Sequence, residues 1–151
     1  MPPFTIRPLE TDDIPDVVRM IHELTAFHND TGTASIETVT RDTTGPNPWW
    51  HVFVAVLDGQ LIGYMVLLPL SKVADGTRGI DINHLYLRDG HRGAGVGRAF
   101  IETAAHFAAA NACSYLHIAT AAENTAAQDA YLACGFEARP DPGGPRFRMA
   151  I

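Results

Sequence analysis

The hydrophobic positions of the chain repeat with two periods, and these periods predict a succession of strands and helices. Phe4 and Ile6 alternate with polar residues and predict a short strand. Thr11-Asp12-Asp13 then offers capping side chains, and Pro15 suits the first turn of a helix. The apolar side chains that follow recur at helical spacing: Ile14, Val17, Val18, Ile21 and Leu24. We therefore expect an amphipathic helix that packs on a sheet.

The next part of the chain predicts a long connection and then a hairpin. Residues 29–48 are rich in Thr, Gly, Asn and Pro, with one short helical segment around residues 35–42. Residues 52–57 predict a strand, Asp58-Gly59 is a hairpin turn signal, and residues 61–70 predict the antiparallel partner. Because long loops often carry substrate contacts, we expect such contacts in the connection.

The strand predicted over residues 80–87 changes phase near its middle. Its apolar side chains fall on two parities: Ile80 and Ile82, then Leu85 and Leu87. One extra residue near Asn83 or His84 would return them to a common face, as a β-bulge does. Bulges tend to end strand pairing where a ligand enters, so we expect a binding site beside this strand.

The C-terminal half continues with a turn, a helix, a strand and a second helix. Its first helix is marked by apolar residues at helical spacing: Val96, Phe100, Ala104, Phe107 and Ala108. Residues 115–120 predict a strand, Asn124 caps the last helix and Gly135 ends it. We expect extended structure from Phe136, a turn over residues 140–145 and a final strand over residues 146–150. The whole chain, residues 1–151, is expected to be one α/β domain.

Composition and charge exclude several classes of function. The chain of 151 residues carries eleven Lys and Arg against seventeen Asp and Glu, a formal charge of -6, which argues against nucleic-acid binding. It has no apolar run long enough to span a membrane, and Met1-Pro2-Pro3-Phe4 does not resemble a signal peptide. We therefore expect a cytoplasmic protein without membrane partners, and the acidic balance favours a cationic small-molecule partner over a protein.

Three glycines alternate between the predicted strand and helix, at Gly93, Gly95 and Gly97. Glycine lets the backbone adopt positive φ and approach a ligand closely, so that successive N–H groups point at an anion near a helix N-terminus. The expected anion is a diphosphate. Neither the dinucleotide motif nor the P-loop is matched, and by itself the turn leaves phosphate binding and tight packing both open.

Two motifs in this region resemble those of one family. Leu85-Tyr86-Leu87, four residues and then Arg92-Gly93-Ala94-Gly95-Val96-Gly97-Arg98 resemble motif A of the GNAT N-acetyltransferase superfamily, whose core is Arg/Gln-x-x-Gly-x-Gly/Ala. Asn124-x-x-Ala127-x-x-x-Tyr131-x-x-x-Gly135-Phe136 resembles motif B of the same family. Their order and separation are also similar to the family pattern.

The resemblance implies a GNAT fold, a mostly antiparallel sheet with one splayed parallel strand pair and flanking helices. It implies that acetyl-CoA is a co-substrate: residues 92–98 would hold the pyrophosphate, while residues 85–87 and Asn124 would contact the pantetheine arm. The reaction would be direct attack of a primary amine on the thioester. Tyr131 matches the family's general acid, and Asp81 stands where several members place a base.

Some alternatives stay open at this point. An ordinary Asp, with a pKa of about 3.9, is a poor base near neutrality, so Asp81 needs burial or a water relay, or else is a solvated strand-end residue. Asn83 and His84 are its neighbours, and the imidazole has a suitable pKa of about 6.5. Within the same fold, a non-catalytic acyl-CoA sensor is the alternative function. The sequence also leaves open whether two chains form a homodimer.

The remaining polar residues predict no further site. The histidines have no Cys/His spacing of a metal site, so we expect no metal; they include His22, His28, His51 and His91. Arg7 is expected to be a solvated charge.

Overall fold

A five-stranded sheet organises the first part of the chain, and its strands lie side by side in sequence order. Neighbouring strands are antiparallel except the last pair, which is parallel. The strands are β1 (Thr5–Pro8), β2 (His51–Leu57), β3 (Gln60–Lys72), β4 (Thr77–Leu87) and β5 (Tyr115–Ile118). The mixed, mostly antiparallel sheet flanked by helices that the resemblance implies is thus confirmed.

The computed structural model describes residues 3–139 and 144–151 and divides into two compact units, one ending at Ala119 and the other beginning at Thr120. The first unit holds the sheet with α1 (Ile14–Phe27), α2 (Ile36–Thr43) and α3 (Val96–Ala110), and the second holds α4 (Thr125–Ala133). Within the described ranges, no helix has the length and apolar content that would let it cross a membrane.

The start of α1 is tied to β1 by an ion pair. The Asp13 carboxylate accepts hydrogen bonds from the Arg7 guanidinium at 2.7 and 3.0 Å and from the Glu10 backbone N–H at 2.7 Å. Arg7 is therefore a paired residue, and the expectation of a solvated charge is wrong. The Arg7 hydrogen bonds lower the pKa of Asp13, which is itself buried.

Helices cover both faces of the sheet because successive strand side chains point to opposite faces. On one face, Val52 and Val54 of β2 belong to a buried cluster with residues of α1 and α2. On the other face, Phe53 meets Phe107 of α3, with their ring centroids 5.8 Å apart. The apolar stripe predicted for α1 packs on the first of these faces.

The bulge predicted in the middle of β4 is confirmed. Val66 of β3 pairs with His84, but the next residue of β3 pairs with Ile82, so Asn83 is the extra residue. The bulge reverses the parity of the strand, and it returns Leu85 and Leu87 to the face of Ile82. That face is the one covered by α3, as the two-parity pattern of the sequence predicts.

The parallel pair of strands is much shorter than β4. β5 pairs with residues 79–82 alone, whereas β4 continues to Leu87. Among the described residues, the edge of β4 that faces away from β3 therefore has no strand partner from Asn83 onwards. The pairing ends at the bulge, as the phase change predicts, and an open edge follows.

The second unit contains the last helix and the C-terminal segment. Asn124 caps α4, since its Oδ1 accepts a hydrogen bond from the Ala127 N–H at 3.1 Å, and Gly135 adopts φ 100° after the helix, so both predicted helix boundaries are confirmed. The final strand predicted over residues 146–150 is wrong, because residues 144–151 pair with no strand. An alternating pattern forms a strand only where an edge is available to pair with it. The predicted turn lies outside the described residues at positions 140–143.

Candidate active site

The turn between β4 and α3 depends on glycine for its backbone shape. Gly93 has φ 79° and Gly95 has φ 86°, and Gly95 is the N-cap of α3. This left-handed region is strained for residues with a Cβ atom and accessible to glycine. The two glycines therefore let the chain curl tightly just before the helix.

The amide groups of this turn are free to bind a ligand. Within the described ranges, none of the backbone N–H groups of residues 93–98 donates a hydrogen bond to another residue; the first donor in α3 is Ala99, which bonds to the Gly95 carbonyl. Unpaired N–H groups at a helix N-terminus carry partial positive charge and form an anion site. Six consecutive free amides suit an anion with several oxygens, such as a diphosphate.

The surroundings of Gly97 indicate whether there is space for such a ligand. Its φ lies outside the left-handed region, and a Cβ atom built on it would meet no atom within 4 Å, so protein packing does not require glycine there. Glycine in a helix costs about 1 kcal/mol relative to alanine. A ligand bound next to the free amides would account for a glycine that protein packing does not require.

The open edge of β4 offers a second set of hydrogen-bonding groups. The Arg88 N–H donates to the Ile62 carbonyl on β3 at 2.9 Å. Because bonded and non-bonded pairs alternate along an antiparallel ladder, the Tyr86 backbone also faces β3, whereas Leu85 and Leu87 direct N–H and C=O groups to the open edge. An extended arm with amide groups can pair with these two residues as an added strand does.

The two arginines of the turn add positive charge. The Arg92 guanidinium lies 3.4 Å from the Leu87 carbonyl oxygen and 3.7 Å from the Asp89 carboxylate, and its central carbon is 5.5 Å from the Phe27 ring centroid. Arg98 is exposed in the first turn of α3. The two arginines flank residues 93–97 in the sequence, so their positive charges favour a polyanionic ligand at this turn.

Polar side chains gather at the bulge of β4, on the face covered by α1. The Asn83 amide donates a hydrogen bond to the Asp81 carboxylate at 3.2 Å. Asp81 pairs with Leu68 and His84 pairs with Val66, and both β3 partners pack in the α1 cluster. Asp81 and His84 therefore share one face and flank the extra residue at the end of the β4–β5 pairing.

His84 has a buried partner that sequence reasoning missed. The Tyr64 hydroxyl, on a fully buried side chain of β3, lies 2.9 Å from His84 Nδ1. Burial raises the pKa of the Tyr64 phenol above its usual range. Burial also lowers the pKa of His84, and the nearby His28 lowers it further. A single phenol within the otherwise apolar run of residues 61–70 was the one available signal of this contact.

A second polar network joins α1 to the end of β4. Glu23 accepts hydrogen bonds from the Tyr86 hydroxyl at 3.1 Å and from Arg88 at 3.2 and 3.3 Å. Arg88 also donates to Asp16 at 2.9 Å, and the hydrogen bond to this carboxylate raises the pKa of Arg88. Tyr86 thus serves the packing of α1 with its side chain, while its neighbours on β4 face the open edge.

The second unit carries the two remaining predicted site residues, Asn124 at the N-cap of α4 and Tyr131 within the helix. Tyr131 is half-buried, its ring centroid lies 6.0 Å from that of Phe136, and burial raises the pKa of the phenol. The phenol is therefore protonated at neutral pH. Asn124 uses its carbonyl oxygen to cap the helix, and its amino group makes no hydrogen bond within the described part of the chain.

The predicted site residues thus form three sets. The first set lies in the first unit and comprises the edge at Leu85 and Leu87 together with the turn of residues 92–98 that follows it. The second is Asp81, on the same strand but on the other side of the bulge. The third, in the second unit, comprises Asn124 at the N-cap of α4 and Tyr131 within that helix. Over residues 3–139 and 144–151, no three His, Cys, Asp or Glu side chains are grouped so that they could hold a metal ion.

Comparison with known proteins agrees with this arrangement. The model of the Acetyltransferase (GNAT) family matches residues 18–136. A thialysine N-epsilon-acetyltransferase of Sus scrofa is 29% identical over 140 residues, covering 86% of this chain and 82% of the relative. An aminoglycoside N-acetyltransferase solved in complex with CoA superposes with a TM-score of 0.81 at 19% identity, over 97% of this chain and 96% of its own. An aminoglycoside acetyltransferase from an uncultured soil metagenomic sample, solved with sisomicin, gives 0.79 at 16% identity over 97% of each chain.

Proposed function

The chain belongs to the GNAT acetyltransferase family, and on that basis we propose that it transfers an acetyl group from acetyl-CoA to a primary amine. The observation that carries this proposal is the run of free amides at residues 93–98 beside the open edge of β4. These two features suit the two ends of one ligand, a diphosphate and an extended amide-containing arm.

Acetyl-CoA would be held by backbone groups of the first unit. The amides of residues 93–98 would bind its pyrophosphate, with Arg92 and Arg98 adding charge. Leu85 and Leu87 would pair with the pantetheine arm along the open edge. From the second unit, the resemblance to motif B assigns the Asn124 amino group to the same arm. When bound, acetyl-CoA supplies a thioester whose carbonyl carbon is open to attack.

The transfer forms a carbon–nitrogen bond to the amine, breaks the carbon–sulfur bond, and moves two protons. An alkyl amine with a pKa of about 10.4 is neutral in roughly one part in a thousand at pH 7, so a base must take up its proton. We assign this role to Asp81, directly or through water. We assign protonation of the departing thiolate to Tyr131, whose phenol keeps its proton at neutral pH.

The acetyl acceptor that we propose is a small cationic amine. The formal charge of -6 favours cations. Relatives and structural neighbours named for thialysine and for aminoglycosides, both small amines, support the same class. We propose that the enzyme acts in the cytoplasm, as expected from the sequence composition.

Release of CoA thiol from acetyl-CoA, measured over a panel of amines, tests the proposal. We expect amine-dependent thiol release together with an acetylated amine in equal amount. A Tyr131→Phe variant should retain cofactor affinity and lose turnover, since the phenol is assigned to the chemical step. Binding of acetyl-CoA without turnover of any amine would contradict the proposal and favour the non-catalytic sensor.

A further inference from the structure

We infer that Tyr64 holds His84 in the tautomer with its proton on Nε2, and that this N–H selects acceptor amines that carry a nearby oxygen. The inference rests on the proposed function for its selectivity. The hydrogen bond between Tyr64 and His84 is the contact that carries it.

The buried phenol decides the tautomer. Tyr64 is fully buried, and His84 Nδ1 is the one hydrogen-bond partner of its hydroxyl in the described part of the chain. A buried hydroxyl that does not donate loses free energy, because water is not there to accept its proton. The phenol therefore donates to the Nδ1 lone pair. A neutral imidazole that accepts at Nδ1 carries its own proton on Nε2.

The surroundings of His84 oppose a second proton on the ring. Burial disfavours the imidazolium, and His28 at the end of α1 adds repulsion when it is charged. Tyr64 on β3 and Tyr86 on the same face of β4 are neutral at pH 7, because burial is the largest cause that raises the pKa of each phenol. Asp81 lies on the same face, but its carboxylate accepts a hydrogen bond from the Asn83 amide and none from the His84 ring in the described part of the chain.

His84 itself lies at the inner end of the open edge, with a partly exposed side chain on the face of α1. The edge runs from Leu87 back to Asn83, where β5 rejoins β4 and closes it. His84 is the first residue beyond the bulge, on the face of α1. Its Nε2 lies on the opposite side of the ring from the Tyr64 contact, and it has no hydrogen-bond partner in residues 3–139 and 144–151.

An acceptor amine that reaches the end of this edge from the α1 face meets a fixed hydrogen-bond donor. A neutral Nε2–H donates to hydroxyl, carbonyl or carboxylate oxygen, and it has no lone pair that could take the proton of the amine. The donor therefore favours amino alcohols and amino acids over plain alkylamines. It also leaves the uptake of the amine proton to Asp81 on the other side of the bulge.

The tautomer is tested by two-bond ¹H–¹⁵N spectra of the histidine rings at pH 7. We expect His84, identified by the loss of its signals in His84→Gln, to show the Nε2–H pattern. In Tyr64→Phe, Nδ1 loses its donor, and we expect a mixture of tautomers and easier protonation. An Nδ1–H pattern or an imidazolium in the wild-type protein would overturn the inference whatever the protein acetylates.

The selectivity is tested with pairs of amines that differ by a hydroxyl in place of a methyl group, such as 3-aminopropan-1-ol and butylamine, over several chain lengths. We expect kcat/KM to favour the best amino alcohol by about 10-fold, as one retained hydrogen bond allows. His84→Met should bring the ratio close to one, and His84→Gln, which keeps an amide donor, should retain part of it. A wild-type ratio near one, or a ratio unchanged in His84→Met, would refute the selectivity. If no amine is acetylated, the proposed function fails and the selectivity fails with it, while the spectra still decide the tautomer.

Discussion

Replacing the glycines of the β4–α3 turn separates their backbone role from their ligand role. Gly95 has φ 86°, so Gly95→Ala forces a Cβ atom into the left-handed region and should destabilise the protein by about 1–2 kcal/mol. For a chain of this size, that corresponds to a fall in Tm of roughly 2–8 °C. Gly97 is helical and has open space around its missing side chain, so Gly97→Ala should be neutral or should stabilise by up to about 1 kcal/mol.

The same two substitutions should both weaken the binding of CoA. In both variants a methyl group occupies space next to the free amides. A clash of that kind costs about 1–3 kcal/mol, which corresponds to a Kd raised roughly 5- to 150-fold. Gly97→Ala should therefore show weaker CoA binding in a protein that is at least as stable as the wild type.

The assay pairs thermal unfolding without ligand with isothermal titration calorimetry using CoA. Gly59→Ala is the matched control, because Gly59 has φ 74° in the β2–β3 hairpin and open space around it. It should lose stability as Gly95→Ala does and bind CoA as the wild type does. Wild-type CoA affinity in Gly97→Ala would refute the placement of the pyrophosphate, and a large loss of stability in that variant would refute the packing argument.

Three further predictions concern the fold and the chemistry. Asp13→Ala should lower the free energy of unfolding by about 2–3 kcal/mol in urea titrations, because it removes three hydrogen bonds, two of them from a guanidinium; a loss below about 0.5 kcal/mol would contradict this role. The Arg7 hydrogen bonds lower the pKa of Asp13 in the folded protein below the ordinary value of 3.8. The stability that ionised Asp13 contributes is therefore complete above pH 3.8 and is lost as the pH falls through the lower pKa of the folded state. Unfolding curves between pH 6 and 2 should show an acid-dependent loss of stability that Asp13→Asn lacks. Asp81→Asn should lower kcat at neutral pH and leave the Kd for CoA within about twofold; an unchanged kcat would assign the base elsewhere.

The sequence predicted the features of this fold that are local. The two parities of apolar residues around Asn83 identified the bulge, because a one-residue insertion is the simplest way to keep both sets on the α3 face. The Asn124 cap and Gly135 follow from side-chain and backbone preferences within one helical turn. The free amides at the start of α3 follow from two glycines with positive φ, Gly93 and Gly95, and from the unpaired N–H groups of the first helical turn.

Contacts between distant residues were not predictable in the same way. Tyr64 and His84 are 20 positions apart, and the bulge sets which residues of β4 lie beside the phenol. The Arg7 and Asp13 pair depends on the angle at which β1 leads into α1. The strand expected over residues 146–150 failed because alternation shows which residues suit a strand and says nothing about an edge to receive it.

The most direct test of the account is a titration of ¹⁵N-labelled protein with CoA, followed by amide chemical shifts and hydrogen exchange. We expect the amides of residues 93–98 to shift most strongly. Leu85 and Leu87 should shift and gain protection from exchange, whereas Tyr86, already paired with β3, should gain none. Saturable binding that leaves the amides of residues 93–98 and of Leu85 and Leu87 unchanged, or no binding at all, would contradict this expectation.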